Sequence, residues 1–330
     1  MTGVRLPLYQ YRDYMKRVKE NGVWSFNERT GKNCLTLINH DMTYDVAKGQ
    51  FPLDTTRKSY WKAAAAEIFG YARGERDAVV FKEMGANTWM NNASAAWWRD
   101  SVFCDKENYS YDMGRSYGVQ GNEWKTYAEI PMAKLTPEAI AELHDLGYEV
   151  LVDQPLLGVQ VWKKTTNQLK RIWEMLKEGK DDRRLILNFF NPGEIDQACL
   201  PACMYSHHFS LLDGVLYLNS TQRSCDITLG VNFNMVQVYV FLYVMAWSTG
   251  NEAGQAFHKL VNNHFYEDQI DTVEEQLDES REPLPHPIFR VKDGVKKPDT
   301  FEEFLEVLDV NNFEVLEYQH HEPISHKFTT

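Results

Sequence analysis

The segments HHFSLLDGVLYL (residues 207–218) and VNFNMVQVYVFLYVMAWSTG (residues 231–250) decide the fold of this chain. The first predicts two antiparallel strands, because Asp213-Gly214 is a strong hairpin signal between two apolar runs. The second predicts one long helix over residues 232–248. Its apolar run is about as long as the shortest membrane span but contains three side-chain amides, which favours a buried core helix over a membrane segment.

Helix and strand signals alternate along the rest of the chain. Thr136, Pro137 and Gly147 are typical of one helix with an N-cap, a proline in the first turn and a glycine beyond the end. We expect helices over residues 58–72, 136–146 and 165–178, a strand over residues 184–190, and mixed loops with short strands after the long helix. These elements predict an α+β fold in which helices pack on a sheet and the longest helix is central.

The bulk composition indicates one folded domain. With 330 residues, 43% of them hydrophobic and 13% aromatic, the chain can bury a large core. No repeat, low-complexity tract or long linker divides it, so a single domain over residues 1–330 is the simplest interpretation. The formal net charge of −12 argues against binding along nucleic acid, although a local group of arginines would still hold a free nucleotide.

The five cysteines are unevenly spaced and form no CxxC pair. This usage is typical of a reducing compartment, so we expect a cytoplasmic protein, or one of the host cytoplasm if a phage encodes it, with no secretion signal. A zinc site formed by Cys199, Cys203, His207 and His208 is an alternative, but adjacent ligands on a strand point to opposite faces. We therefore expect no metal.

The pentapeptide Gln222-Arg223-Ser224-Cys225-Asp226 places a cation, a hydroxyl and a carboxylate just past the hairpin. Cys203 stands at the far end of the same hairpin, so we expect its thiol and the Arg223 guanidinium to meet on one sheet face. A nearby arginine lowers the pKa of a thiol and favours the nucleophilic thiolate. The alternatives are a solvated strand end for the pentapeptide and a small buried hydrophobic residue for Cys203.

Further motifs accompany Cys203 and the pentapeptide in a fixed order, and the ordered set resembles the thymidylate synthase superfamily over most of the chain. It comprises Arg29-Thr30-Gly31, Phe51-Pro52-Leu53, Thr55-Thr56, Glu67, Gly74, Asp182-Arg183-Arg184, Asn191-Pro192-Gly193-Glu194, Leu229-Gly230, Phe233-Asn234 and His264-Phe265-Tyr266. The resemblance implies a twisted mixed sheet packed with helices around the long helix, and a homodimer formed through that sheet. The extra length relative to shorter synthases lies at about residues 80–122 and 129–158.

By this resemblance, the reaction transfers a one-carbon unit from 5,10-methylenetetrahydrofolate to C5 of a pyrimidine nucleotide. Cys203 would add to C6 and turn C5 into a nucleophile, with Arg223 beside it. Glu67, on an apolar helix face that would raise its pKa, would be the general acid/base. Tyr117 would assist proton removal from C5. Without the resemblance, Glu67 is interpreted as an exposed helix residue and Tyr117 as aromatic core filler.

The same resemblance assigns the binding residues. They are Arg29, Arg223 and Ser224 for the phosphate, joined by Arg183 and Arg184 of the second subunit; Asn234 for the base; His264 and Tyr266 for the sugar 3′-hydroxyl; Gln222 as a further substrate-binding residue; and Asp226, Gly230 and Trp89 for folate. Asn234 indicates uracil, because an amide offers a donor and an acceptor to O4 and N3–H, whereas cytidylate-specific members have Asp there. A simple helix N-cap is the alternative for Asn234.

Two departures from the synthase pattern concern the fate of the exocyclic methylene intermediate. Met204 follows the nucleophile where synthases have His, and the chain ends on the polar segment His326-Lys327-Phe328-Thr329-Thr330 instead of a small apolar tail. Because exclusion of water favours reduction by folate, these departures favour hydroxymethylation of dUMP, as in the phage nucleotide hydroxymethylases. Thymidylate synthesis, (d)CMP hydroxymethylation, and an inactive homologue that binds nucleotide or RNA are the alternatives.

Overall fold

The computed structural model of the protein describes residues 5–154 and 157–329. Its strands are β1 (Val23–Asn27), β2 (Lys32–Asp45), β3 (Trp124–Pro131), β4 (Tyr148–Gln154), β5 (Val159–Thr166), β6 (Ile186–Asn188), β7 (Met204–Leu212), β8 (Val215–Asp226), β9 (Glu252–Tyr266), β10 (Ile288–Val291) and β11 (Phe313–Leu316). Its α-helices are α1 (Gln10–Asn21), α2 (Trp61–Ala72), α3 (Ala78–Glu83), α4 (Met90–Ser94), α5 (Ala96–Arg99), α6 (Tyr117–Asn122), α7 (Pro137–Asp145), α8 (Gln168–Lys177), α9 (Asn232–Thr249), α10 (Ile270–Leu277) and α11 (Phe301–Val307).

The main sheet has six strands in the order β1-β2-β9-β8-β7-β6. Neighbouring strands are antiparallel except β8 and β9, which are parallel. A parallel pair needs a crossover connection, and α9 is that connection. This mixed sheet with packed helices confirms the predicted α+β fold class.

The hairpin and the long helix form where the sequence predicts them. Asp213 and Gly214 both have positive φ, +50° and +77°, as a tight two-residue turn between twisted strands requires. The helix α9 ends at Gly250, whose φ is +83°, and fourteen of its eighteen residues are buried. The segment Ile227–Thr249 is long and apolar enough to cross a membrane, but 72% of its most apolar window is buried inside the protein, as in a core helix.

The prediction of loops and short strands after the long helix is wrong. The chain instead enters β9, which has fifteen residues and lies between β8 and β2 in the middle of the sheet. Its buried positions include His258 and Asn263, which are fully buried polar residues. These polar side chains break the apolar alternation by which a half-buried strand is recognised. The strand predicted over residues 184–190 is shorter, as β6.

The predicted helices over residues 58–72, 136–146 and 165–178 correspond to α2, α7 and α8. Thr136 is the N-cap of α7 and accepts a hydrogen bond from the backbone N–H of Ala139 at 3.3 Å. A second sheet, in the order β3-β5-β4, carries most of the extra length at 129–158 together with α7. The short helices α3, α4, α5 and α6 occupy the other extra segment. The single-domain interpretation stays a prediction.

Candidate active site

Cys203 and Arg223 lie side by side because β7 and β8 pair directly after Cys203. Met204 is registered opposite Gln222, and the Arg223 backbone N–H donates to the Cys203 carbonyl at 2.9 Å. The Arg223 guanidinium donates to the carbonyls of Ala202 and Pro201 at 2.9 and 3.0 Å, and its Nη2 lies 3.7 Å from Cys203 Sγ. The loop that carries the thiol therefore holds the cation beside it.

Burial and charge act in opposite directions on the Cys203 thiol. Burial raises the pKa of Cys203 above its ordinary value, while the nearby cations Arg223 and Arg29 act to lower it. The burial effect is the larger one. The arginine thus favours the thiolate, as the sequence suggests, but it does not by itself produce a low-pKa thiol in the free protein.

A cluster of aromatic side chains packs against the loop that carries Cys203, away from Arg223. The Cys203 backbone N–H donates to Tyr117 Oη at 2.7 Å, and the Tyr117 ring stacks on Tyr71 with centroids 4.3 Å apart. Trp89 Nε1–H donates to Tyr71 Oη at 3.0 Å, and the Trp89 ring lies edge-on to Tyr117. Since Trp89 is only 5% exposed, it packs behind Tyr117 and leaves little ring surface for the predicted contact with folate.

Glu67 is a buried carboxylate on the inner face of α2. It accepts hydrogen bonds from Thr88 Oγ1 and, at 2.7 Å, from Gln237 Nε2. Burial raises the pKa of Glu67, and the hydrogen bonds from Thr88 and Gln237 partly offset this. A carboxyl group with a raised pKa suits proton transfer near neutral pH, which is the direction expected from the apolar face of its helix.

Asn234 is the third residue of α9, and the position before that helix is Val231, with no side-chain cap. The alternative N-cap interpretation of Asn234 is therefore wrong. Its Oδ1 accepts from Gln222 Nε2 at 2.8 Å, and its Nδ2 donates to Gln237 Oε1 at 2.7 Å. The structure thus joins Asn234 and Gln222 on one side to Glu67 on the other, through Gln237.

A one-turn π-helix over Ile227–Val231 connects β8 to α9, and Asp226 caps it. Asp226 Oδ1 accepts from the backbone N–H groups of Thr228 and Leu229 at 2.8 and 3.1 Å, and Oδ2 accepts from Gln269 Nε2 at 2.6 Å. Gly230 lies within this turn. A Cβ atom there would come within 2.4 Å of Cys225 Sγ, so only glycine fits without movement.

His264 and Tyr266 lie two residues apart on β9 and therefore face the same side. Their rings meet edge to face with centroids 4.9 Å apart, and His264 is registered beside Asp226 of β8. Burial lowers the pKa of His264. Its Nε2 has no hydrogen-bond partner among residues 5–154 and 157–329.

The predicted phosphate-binding arginines fall into two groups. Arg29 lies in the exposed turn between β1 and β2, and its charge acts on Cys203, His264 and Tyr266, so it lies near these three side chains. Arg183 and Arg184 lie in the exposed loop before β6, at the edge of the sheet. Arg184 pairs with Asp182 at 2.8 Å. Ser224 follows Arg223 on β8 and is partly exposed.

The zinc alternative does not fit this arrangement. His207 is fully buried and its Nδ1 is hydrogen-bonded to Ser220 Oγ at 2.8 Å. Within the part of the chain that the structure describes, no group of three or more His, Cys, Asp or Glu side chains is placed to hold a metal ion.

Comparison with known proteins agrees with this geometry. The family model described as thymidylate synthase matches residues 9–330. The chain belongs to the thymidylate synthase family. Relatives named thymidylate synthase include those of Vibrio parahaemolyticus (48% identical), Vibrio cholerae (47%) and Aliivibrio fischeri (46%), each aligned over 322 residues that cover 97% of this chain and 99% of the relative.

Membership of the thymidylate synthase family makes the chain a folate-dependent one-carbon transferase and confirms 5,10-methylenetetrahydrofolate as its co-substrate. The expectation of dUMP hydroxymethylation is wrong, because relatives that align over nearly their whole length are named thymidylate synthase. The names of these relatives also give no support to the expected role in phage DNA modification.

The polar C-terminal segment of this chain is anchored to the protein and is not a loose tail. His326 is buried, and its ring nitrogens are hydrogen-bonded to Thr272 Oγ1 and Gln276 Oε1, both at 2.8 Å. Gln269, the partner of Asp226, also donates to the Lys327 carbonyl at 2.9 Å. Met204 is 2% exposed and belongs to the core. In this synthase-family chain, polar anchors hold the tail next to the cleft.

Three residues of the site had not been singled out from the sequence: Gln237, Thr88 and Gln269. Gln237 left a signal, since it is a polar residue in the apolar run Met235–Val238 of the core helix. A buried polar side chain in such a run needs a partner, and its partners here are Asn234 and Glu67. Nothing in the sequence around Thr88 and Gln269 indicates a role, because their contacts arise only from tertiary packing.

Proposed function

We propose that this protein is a thymidylate synthase that methylates dUMP reductively to dTMP, with 5,10-methylenetetrahydrofolate as donor of both the carbon and the hydride. The observation that carries the proposal is the thiol of Cys203, 3.7 Å from the Arg223 guanidinium and next to Tyr117, with Glu67 near enough for its charge to act on the thiol and Asn234 hydrogen-bonded to Gln222 of the same hairpin. The names of the relatives favour methylation over the other outcomes.

Each group in the cleft has chemistry that suits one step. Cys203 Sγ forms a bond to C6 of the uracil ring, and the electron pair of the C5–C6 double bond then attacks the methylene carbon of the folate. Tyr117 Oη, which accepts a hydrogen bond from the Cys203 N–H, helps to remove the C5 proton. Glu67 exchanges protons with O4 and folate. The bond from the methylene carbon to the folate N10 breaks when C5 attacks, and the bond to N5 breaks when the C5 proton is lost, which releases tetrahydrofolate and leaves an exocyclic methylene on the ring. Tetrahydrofolate then transfers a hydride to that methylene and becomes dihydrofolate, the Cys203 sulfur leaves C6, and the C5–C6 double bond re-forms.

The binding groups divide the nucleotide among them. Arg29, Arg223 and Ser224 hold the phosphate, and charge-assisted hydrogen bonds from guanidinium groups give that contact both strength and direction. The Asn234 amide forms hydrogen bonds with uracil, and Gln222 holds that amide in place by donating to its Oδ1. His264 and Tyr266 hold the 3′-hydroxyl. Asp226, on the π-turn with Gly230, faces the pterin of the folate and supplies an acceptor for its ring N–H groups.

We infer that the active form is a homodimer in the cytoplasm. Exposed apolar side chains lie along the main sheet, among them Trp24, Ile38 and Phe257, which are 51%, 52% and 39% exposed. Such a surface favours burial against a second copy. Arg183 and Arg184, exposed in the loop at the edge of the sheet, would complete the phosphate site of the other subunit. All five cysteines are free, as in a reducing compartment.

The product decides the function. Incubation with dUMP and labelled 5,10-methylenetetrahydrofolate should give dTMP and dihydrofolate, identified by mass, and the Cys203→Ala variant should give neither. Recovery of 5-hydroxymethyl-dUMP with tetrahydrofolate, or of no modified nucleotide at all, would reject the proposal.

Mixed dimers test the contribution of the second subunit. A Cys203→Ala chain and an Arg183→Ala/Arg184→Ala chain should each be nearly inactive alone. Random exchange of the two should restore about a quarter of the wild-type activity, because half of the dimers are mixed and each has one intact site. No recovery after exchange would refute the shared site.

A further inference from the structure

A continuous chain of side-chain hydrogen bonds joins the candidate acid/base residue to the base-reading amide and continues into the sheet. From Glu67 it runs through Gln237, Asn234, Gln222 and His258 to Tyr44, with successive distances of 2.7, 2.7, 2.8, 2.9 and 3.0 Å. Gln237 and His258 are fully buried, and Gln222 is 1% exposed. Bulk water therefore cannot substitute for a missing member.

The carboxylate at one end fixes the direction of the bonds. An ionised Glu67 only accepts, so Gln237 must turn its Nε2 toward Glu67 and its Oε1 toward Asn234. Asn234 must then donate from Nδ2 to Gln237, and its Oδ1 is left to accept from Gln222. One charged group thus determines which way the base-reading amide points.

At its other end, the series of hydrogen bonds reaches Gln222, His258 and Tyr44, and their donors and acceptors fit the orientation that Glu67 imposes. Gln222 donates to Asn234, so its Oε1 faces His258 and requires a hydrogen on Nε2 of that ring. Burial lowers the pKa of His258 to about 3, so the ring is neutral and has one N–H. The other ring nitrogen, Nδ1, accepts from Tyr44 Oη at 3.0 Å. Every donor in the chain therefore meets an acceptor.

We propose that Gln237 is a positioning residue that couples uracil recognition by Asn234 to the orientation of the Glu67 carboxylate. This inference rests on the proposed function. Uracil offers an acceptor at O4 and a donor at N3, whereas cytosine offers the reverse. To read cytosine, the Asn234 amide must rotate, which would bring its Nδ2 against Gln222 Nε2 and its Oδ1 against Gln237 Oε1. A compensating rotation of Gln237 would press its oxygen against the Glu67 carboxylate. Through Gln237, the Glu67 carboxylate therefore holds the Asn234 amide in the orientation that binds uracil.

Gln237→Met removes both bonds while keeping the size and the apolar packing of the helix. With dUMP, we expect kcat to fall at least tenfold with a smaller change in KM. The discrimination between dUMP and dCMP, measured with dCMP as a competitive inhibitor, should fall at least tenfold, because Asn234 is free to rotate. The limb of the pH–rate profile that requires ionised Glu67 should move to higher pH by on the order of one unit, since the carboxylate loses a donor.

Ser248→Ala is the matched control. Ser248 is fully buried near the other end of the same helix and accepts from Trp173 Nε1 at 3.0 Å. Its replacement removes a comparable hydrogen bond without contact with the cleft. We expect it to lower stability and to leave nucleotide discrimination and the pH profile unchanged. If Gln237→Met behaves like Ser248→Ala, the inference is overturned.

A second variant keeps the test decisive if Gln237→Met does not fold. Gln237→Glu has the same shape but places a second carboxyl group against Glu67, so the two must share a proton and the pH limb should move upward further. An unmoved limb in a folded Gln237→Glu variant would also overturn the inference. If the wild type formed no dTMP, the proposed function would fail separately. Calorimetric binding of dUMP and dCMP to wild type and Gln237→Met would then still decide the coupling.

Discussion

Replacing Gly230 with alanine tests how closely the turn between β8 and α9 is packed. The new Cβ would lie 2.4 Å from Cys225 Sγ and 3.8 Å from Asn234 Oδ1. Non-bonded atoms of this size touch at about 3.5–4.0 Å, so the turn or the sulfur must shift by roughly 1 Å. Overpacking of this kind costs about 1–3 kcal/mol. Because the turn also positions Asp226 and Asn234, activity should fall together with stability.

A double-mutant cycle isolates the sulfur contact. Cys225→Ala removes Sγ and leaves the Cys225 Cβ 3.9 Å from the new methyl group, an ordinary contact. Alone, Cys225→Ala should cost about 1 kcal/mol for a small buried group. In combination with Gly230→Ala, the total should be smaller than the sum of the two single costs by about 1–2 kcal/mol.

Guanidinium unfolding at one fixed protein concentration measures these free energies, since the stability of a dimer depends on concentration. Gly193→Ala is the control, because the nearest atom to its added Cβ, Asn191 Oδ1, lies 3.5 Å away. It should change stability by no more than about 0.5 kcal/mol. Simple additivity of Gly230→Ala and Cys225→Ala would refute the argument that the sulfur excludes a side chain at residue 230.

Alkylation of Cys203 should be slow at neutral pH and accelerate as the pH rises, because its raised pKa keeps it a thiol. Arg223→Leu should slow it further at neutral pH, and an unchanged rate would contradict the electrostatic role of Arg223. Acid should destabilise the fold, since burial lowers the pKa of His207 and His258 to about 3, whereas in the unfolded chain both bind protons below about pH 6.5. Each should remove about 2 kcal/mol of stability by pH 5; the urea midpoint should fall accordingly, less steeply in His207→Gln, and a flat midpoint would contradict this. His326→Leu breaks the bonds to Thr272 and Gln276 and should make the C-terminal tail the first site of limited proteolysis; cleavage at the wild-type rate would count against its anchoring role.

Local signals were sufficient for the hairpin and for α9. A two-residue Asp-Gly turn fixes the register of its strands as far as the pair Ser206 and Thr221, so the hairpin was bound to bring Cys203 close to Arg223. The final one-residue shift, at a β-bulge between Met204 and Ser206, was not visible in the sequence. The strands β2 and β9 were not predictable in this way. They pair with each other across more than 200 residues of sequence, and buried polar residues such as His258 and Asn263 interrupt the apolar alternation.

In the candidate site too, local sequence signals and long-range packing contributed different information. The positions of Glu67 and Asn234 came from the family resemblance, and their physical connection came only from the structure. It depends on α2 packing against α9, which brings the Gln237 amide within 2.7 Å of the carboxylate. The polarity of the C-terminal segment was visible in the sequence, but its meaning was not. Only the folded structure shows that Thr272 and Gln276 of α10 form hydrogen bonds with both ring nitrogens of His326.

The place of β9 between β2 and β8 has a consequence for the newborn chain. On the ribosome, β2 and β8 are both made before β9, and until β9 arrives each exposes a row of unpaired backbone groups to other chains. Two residues assigned to the sugar, His264 and Tyr266, are at the end of this late strand. A nascent chain therefore cannot capture nucleotide before nearly all of it has left the exit tunnel, and contacts of such long range make the final closure of the sheet slow.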